Sequence, residues 1–341
     1  MSAPADEAII ALLQELFEPD EAELALNLAF SPLDAGEIAQ RAKLCEEDTL
    51  VLLEKMANKG AIYSVRSGSA SRYALMPPMP GFFEFSLMRG EETPRTLKMG
   101  RLWENYFTKA LGNAMHGTSV RMSRVIPVNQ SIGYGMEIFP YERTVELVRK
   151  SERVALGQCQ CRFSARKCDA PLDVCIMLNK WADFTISRGI AVEISEEEAL
   201  QALIRARDAG LVHTTTNTKE PVPYICNCCP CCCYMLRGVV QLKRNTLASS
   251  RFRASVDKER CIGCRQCLET CPFDALGSDE DGAIKVTEDQ CYGCGLCASA
   301  CPVDALSMTV RDESAAPYDS GKTLLLDIAR DKQETKSPQD R

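Results

Sequence analysis

Between residues 9 and 17 the apolar positions Ile9, Ile10, Leu12, Leu13, Leu16 and Phe17 recur at helical spacing. This predicts a helix within residues 1–18. A second helical segment is expected at about 21–30. Asp34, with Glu37 three residues on, forms a capping signature that starts a helix running to about Lys43. Glu47–Lys59 reads as a further helix, with Leu50, Leu53 and Met56 on its buried stripe and Gly60 as its stop. The period then shortens to two. Ala61–Arg66 and Arg72–Leu75 read as strands joined by the loop Ser67–Ser71.

Met76-Pro77-Pro78-Met79-Pro80-Gly81 interrupts the pattern and reads as a linker. Beyond it a helix is expected over about Thr96–Leu111, carrying Leu97, Leu102, Trp103, Tyr106 and Phe107. A strand at Arg124–Val128 and a helix at about Tyr141–Lys150 follow. Ser195 caps a helix that reaches about Ala209 and stops at Gly210. Val154–Leu156, Val212–Thr214 and Tyr224–Ile225 are strand-like and lead into or flank cysteines. From Arg311 the chain is polar, except for an apolar patch at Leu324–Ile328 that reads as a packing clasp. The fold class is therefore α+β. The expected units are residues 1–80, a cysteine-rich α/β region at 81–255, a compact unit at 256–310 and a polar tail at 311–341. The helices and hairpin over about 21–76 resemble a winged helix.

Composition adds one unusual number. The 341 residues are 45% hydrophobic and 26% charged, ordinary for a soluble globular chain, but 19 are cysteine and only two are histidine, His116 and His213. No apolar run approaches the roughly 18–20 residues of a membrane span. The acidic N-terminus lacks the pattern of a secretory signal, so the cytoplasm is the expected compartment. Clustered cysteines in such a chain point to metal or cluster ligation rather than to disulfides. Residues 1–90 carry 7 basic and 14 acidic side chains, residues 91–255 carry 23 and 16, and residues 256–341 carry 10 and 17. The acidic C-terminal part suits docking to a basic partner surface. It is equally consistent with charge matching inside the chain.

Two C-terminal segments repeat. Cys261-Ile-Gly-Cys264-Arg-Gln-Cys267-Leu-Glu-Thr-Cys271-Pro272 is followed by Cys291-Tyr-Gly-Cys294-Gly-Leu-Cys297-Ala-Ser-Ala-Cys301-Pro302, each with an Asp-Ala-Leu shortly after it. Both read C-x2-C-x2-C-x3-C-P. Residues 256–310 thus resemble the bacterial-type ferredoxins that hold two [4Fe–4S] clusters. Three closely spaced cysteines curl around one cube, and the fourth, turned away before proline, reaches the other. The resemblance implies one cluster on Cys261, Cys264, Cys267 and Cys301, and a second on Cys291, Cys294, Cys297 and Cys271. Gly263, Gly293 and Gly295 would let backbone N–H groups approach the sulfurs. Zinc ribbons use separated C-x2-C pairs instead.

Ten more cysteines lie upstream, and the ferredoxin resemblance gives them no role. Cys159, Cys161, Cys168 and Cys175 form one group; Cys226, Cys228, Cys229, Cys231, Cys232 and Cys233 crowd into another. On an extended chain Cys229, Cys231 and Cys233 would share one face and Cys226, Cys228 and Cys232 the other. On a helix Cys228, Cys231 and Cys232 would group. The tract can feed two sites, or one site plus spare thiols. The leading expectation is at least one additional Fe–S centre built from both groups. Structural zinc, or redox-active thiols including a disulfide, are the alternatives. Arg162, Arg166, Lys167 and Arg237 could lower a thiol pKa, although a solvated face is their simpler reading.

No Walker A loop, G-x-G-x-x-G, H-E-x-x-H or G-x-S-x-G motif appears, and Gly133-Tyr134-Gly135 is too little to imply a nucleotide. The expected recognition helix begins Glu46-Glu47-Asp48 and carries Glu54, which argues against nucleic acid as a partner. The whole arrangement resembles multidomain ferredoxin-fold proteins of anaerobic metabolism. The expected function is one-electron transfer with a partner oxidoreductase. The alternatives are a reductase with a catalytic third cluster and a redox-sensing regulator.

Overall fold

The computed structural model describes residues 4–67, 70–128, 142–219, 221–280, 282–311 and 315–334. Gly133–Gly135 and the expected helix start at Tyr141 lie outside them. The fold is α+β.

The N-terminal part comprises α1 (Glu7–Leu16), α2 (Pro19–Ala25), β1 (Leu33–Asp34), α3 (Ala35–Ala42), α4 (Glu46–Asn58), β2 (Tyr63–Ser67) and β3 (Ala70–Ala74). The strands form a small sheet in the order β1-β3-β2. Asp34 caps α3 by accepting the Glu37 N–H. In α4, Leu53 and Met56 are fully buried, but Leu50 is 43% exposed. The buried stripe of α4 runs through Thr49, Leu53, Met56 and Ala57 instead. The hairpin is also tighter than expected, with Ser67 paired to Ala70.

Residues 76–81 are no solvent-exposed linker. Met76 and Met79 are buried, and the segment leads straight into α5 (Phe83–Leu87). Phe83 and Phe85 are fully buried against Trp103, Tyr234, Trp181 and Phe184. Next come α6 (Pro94–Tyr106), a π turn over Phe107–Leu111 and α7 (Gly112–Met115). One apolar cluster runs from Ala8 through α4, α5 and α6 to Tyr234, joining the N-terminal part to the cysteine-rich region. Arg188 reinforces that junction by pairing with Glu54 and bonding to Asn58 on α4.

The remaining middle elements are β4 (Ser123–Val125), α8 (Thr144–Arg149), β5 (Val154–Gly157), α9 (Gln160–Ala165), β6 (Cys175–Leu178), α10 (Lys180–Ser187), β7 (Val192–Glu193), α11 (Glu196–Asp208), β8 (Val212–Thr216), β9 (Tyr224–Cys228), α12 (Tyr234–Val240) and β10 (Leu247–Ala248). Seven strands form one sheet in the order β10-β4-β8-β9-β6-β5-β7, antiparallel except for β10 on β4. Alternation along the strands sorts its two faces. Ile176, Leu178 and Ile225 pack with residues of α8 and α11. Cys175, Met177, Tyr224, Cys226 and Cys228 therefore point to the opposite face.

The C-terminal unit contains β11 (Phe252–Val256), α13 (Gln266–Thr270), β12 (Leu276–Ser278), β13 (Ile284–Val286), α14 (Leu296–Ser299) and β14 (Leu306–Val310). It is built on two ribbons, β11 with β14 and β12 with β13. The polar tail forms α15 (Gly321–Glu334), in which Leu324 and Ile328 are buried while Leu325 and Leu326 are exposed. Asp331 of α15 accepts hydrogen bonds from Thr118 and Ser119, so the tail packs back on the middle of the chain. Among the described residues no helix is long and apolar enough to cross a membrane.

Candidate metal centres

The repeat in the C-terminal unit is visible in its backbone. Gly263 and Gly293 have φ of 66° and 68°, Arg265 and Gly295 have 65° and 79°, and Asp274 and Asp304 have 54° and 50°. These left-handed positions curl each cysteine run. At Gly293 a side chain would also overlap the Phe252 carbonyl and the Ser250 hydroxyl, so close approach demands glycine there. Two small cavities result. Cys261, Cys264, Cys267 and Cys301 line one; Cys271, Cys291, Cys294 and Cys297 line the other. Backbone N–H groups already point at three of these sulfurs: Ala254 to Cys291 at 3.5 Å, Ala275 to Cys271 at 3.4 Å and Ala305 to Cys301 at 3.2 Å. Such bonds favour thiolate, whereas burial pushes the Cys294 thiol up to about 12. A thiol in that environment ionises at neutral pH only with a cation to hold it.

The two cavities differ in exposure. Cys264 is exposed and its neighbour Ile262 is 65% exposed, whereas Cys294 and Cys297 are buried. The second cysteine loop is docked on the middle sheet. Val128 donates to the Cys294 carbonyl at 2.9 Å, and Ser250 donates to the Tyr292 carbonyl at 3.0 Å and, through Oγ, to the Gly293 carbonyl at 2.7 Å.

The ten upstream cysteines separate into two groups, along neither of the divisions expected from a uniform strand or helix. The tract begins as β9, so Cys226 and Cys228 share a face. The strand ends at Cys228, and a turn over 230–232 redirects Cys229, Cys231 and Cys232. Their sulfurs gather with that of Cys168, all four lying within 4.8 Å of one another. Cys233, just before α12, returns to the first side.

There it completes a six-thiol cage. Cys159 neighbours Cys175, Cys175 neighbours Cys226, Cys226 neighbours Cys228, Cys228 neighbours Cys233, and Cys233 neighbours Cys161. The neighbouring thiols of Cys159 and Cys226 hold the Cys175 thiol well below its usual value. Those of Cys161 and Cys228 do the same for Cys233. Cys159, Cys161, Cys226 and Cys228 themselves stand well above it. Cys161 and Cys226 are partly exposed, whereas Cys159, Cys175, Cys228 and Cys233 are buried.

Two groups near the cage were not legible in the sequence as site residues. The Glu84 carboxylate accepts the Gly81 N–H at 2.7 Å, faces Cys175 and Cys233, and is pushed up to about 8 by burial. Thr214 lies 3.4 Å from the Cys228 sulfur. The solvated-face reading of the cations also needs correction for two of them. Arg162 is 2% exposed; it donates to the Asn227 carbonyl at 2.8 Å and lies 3.8 Å from the Cys229 sulfur. Arg237 is 5% exposed, paired with Glu104 and stacked over Phe107. Arg166 and Lys167 are the exposed pair, bound to Glu92 and Glu104. Cys45, at the start of α4, is exposed and remote from both groups in the chain.

Residues 254–308 match the family model of the 4Fe-4S dicluster domain. No curated protein shows significant similarity to the chain. The C-terminal unit is a 4Fe-4S dicluster domain, which supports iron–sulfur electron transfer.

Proposed function

We propose that this protein relays electrons inward through three iron–sulfur centres, from a surface-docked partner to a buried one. Cys261, Cys264, Cys267 and Cys301 hold the outer cluster. Cys271, Cys291, Cys294 and Cys297 hold the inner one. The six-thiol cage of Cys159, Cys161, Cys175, Cys226, Cys228 and Cys233 holds the third. The observation that carries this reading is a shared apolar cluster. Cys228 and Cys233 of the cage pack in it with Cys294, Leu296 and Phe273 of the dicluster domain, with Cys271 and Cys291 at its margin. The inner cluster and the cage thus lie on two sides of one dry contact, while the outer cluster faces solvent beside Ile262. A redox partner protein meets that outer end.

The cage fits such a centre on its own chemistry. It offers six sulfurs, four of them on buried cysteines, where a cubane needs four, and burial stabilises their thiolates only in company with a cation. Iron and acid-labile sulfide counting on anaerobically purified full chain tests the reading. About twelve or more irons per chain are expected, against about eight for the dicluster domain alone. Replacing Cys175, Cys228 and Cys233 together by Ser leaves three cage thiols and should return the count to about eight with the dicluster signal retained. A parent protein with eight irons would sink the third centre.

The N-terminal part is read as a winged helix used for packing. Its order α2-β1-α3-α4-β2-β3 supports that reading. Glu46, Glu47 and Asp48 open α4, and its Lys55 and Lys59 are engaged by Glu21. A basic face for nucleic acid is therefore not offered by this helix. A second reading, a reductase acting at the third centre, is favoured by Glu84. A protonated carboxyl beside an electron-accepting centre is the group such chemistry requires.

A further inference from the structure

The four sulfurs outside the cage have a spacing of their own. Cys168 and Cys229 are 3.7 Å apart, Cys168 and Cys232 are 3.8 Å apart, and Cys231 and Cys232 are 3.7 Å apart. A tetrahedron of thiolates at about 2.3 Å from one central ion has edges of about 3.8 Å. In a cubane each thiolate binds a different iron at a different corner and points outward, so its sulfurs stand much farther apart than ligands of a single ion. No donor other than sulfur is needed to close the shell, which is the arrangement of a structural rather than a catalytic site.

We infer that Cys168, Cys229, Cys231 and Cys232 bind one zinc ion, separate from the iron–sulfur centres, and that this ion clamps together the two segments that supply the cage. Cys168 lies between α9, which carries Cys161, and β6, which begins with Cys175. Cys229, Cys231 and Cys232 lie between Cys228 and Cys233. One ion on these four therefore fixes the spacing of both ligand-bearing segments. Arg162 extends the clamp. Its guanidinium bonds to the Pro171 carbonyl at 3.1 Å on the first segment and to the Asn227 carbonyl on the second. Next to Cys229 it also offsets part of the negative charge that four thiolates leave on a divalent ion. Val174, Ala206 and Leu211 pack against Cys229 and Cys232 and shield them, while Cys168 and Cys231 keep partial exposure.

The test is elemental analysis of the anaerobically purified full chain, with X-ray absorption at the zinc edge. One zinc per chain is expected, with four sulfur neighbours at about 2.3 Å. Cys168→Ser and Cys232→Ser should each lose that zinc and keep the dicluster signal, which shows that the chain has folded. Absence of zinc in the parent protein would overturn the inference. So would nitrogen or oxygen neighbours at the zinc, or one sulfide-free iron in its place. The zinc content is read independently of the iron count, so either result can fail without the other.

Discussion

Gly238 lies in α12, the helix that follows Cys233 of the cage, and its missing side chain is filled by the His116 ring. A Cβ added at Gly238 would overlap all three of the ring atoms nearest to it. The ring cannot swing away freely. Its Nδ1 is bonded to the Thr246 hydroxyl and its Nε2 lies 3.0 Å from the Tyr234 carbonyl, all in a buried setting. Overpacking of this kind costs about 1–3 kcal/mol. Breaking one of the buried imidazole bonds adds about 1–3 kcal/mol. Alanine returns about 1 kcal/mol through its better helix propensity. Gly238→Ala is therefore expected to lose roughly 1–5 kcal/mol, a fall of several degrees in Tm by circular dichroism under anaerobic conditions. His116→Ala removes the obstacle, so the double variant should be less damaged than the sum of the singles by about 1 kcal/mol or more. A Gly238→Ala protein as stable as the parent, or strictly additive singles, would refute the packing argument.

Two further outcomes follow from buried titratable groups. Burial lowers His213 to about 4, against the opposing bond to Asn227. From an ordinary value of 6.5 its contribution is complete above that pH and is lost as pH falls towards 4, roughly 3 kcal/mol in all. Unfolding midpoints at pH 7.5 and 4.5 should show this loss, and His213→Gln should reduce it; an equal loss in the variant contradicts the assignment. Glu84 is protonated below about 8, and added negative charge on the proposed third centre would raise it further. The midpoint potential of that centre should be flat with pH below about 8 and fall above it, and Glu84→Gln should be flat throughout. A flat parent titration removes Glu84 from any proton-coupled role.

The sequence alone determined whatever depends on short-range spacing. The duplicated cysteine runs with their glycines and prolines require the curled loops of the dicluster domain. The caps at Asp34 and Ser195 set helix starts for the same local reason. What only the tertiary structure decided is how non-local segments share an interior. Leu50 fits a buried stripe by period, yet the neighbours of α4 cover the stripe at Thr49 and Leu53. The segment 76–81 has linker composition, yet aromatic packing beyond it draws it into the core. The cysteine tract could not be divided from its own spacing, because the division is made by the end of β9 at Cys228 and by the turn after it. The β6–β9 register then sets Cys175 against Cys226, and 168 is brought to the turn by a different loop. Glu84 carries no local signal at all, and Arg162 and Arg237, although close to cysteines in sequence, read more simply as a solvated face. Their roles come from depth, and depth is a property of the folded chain.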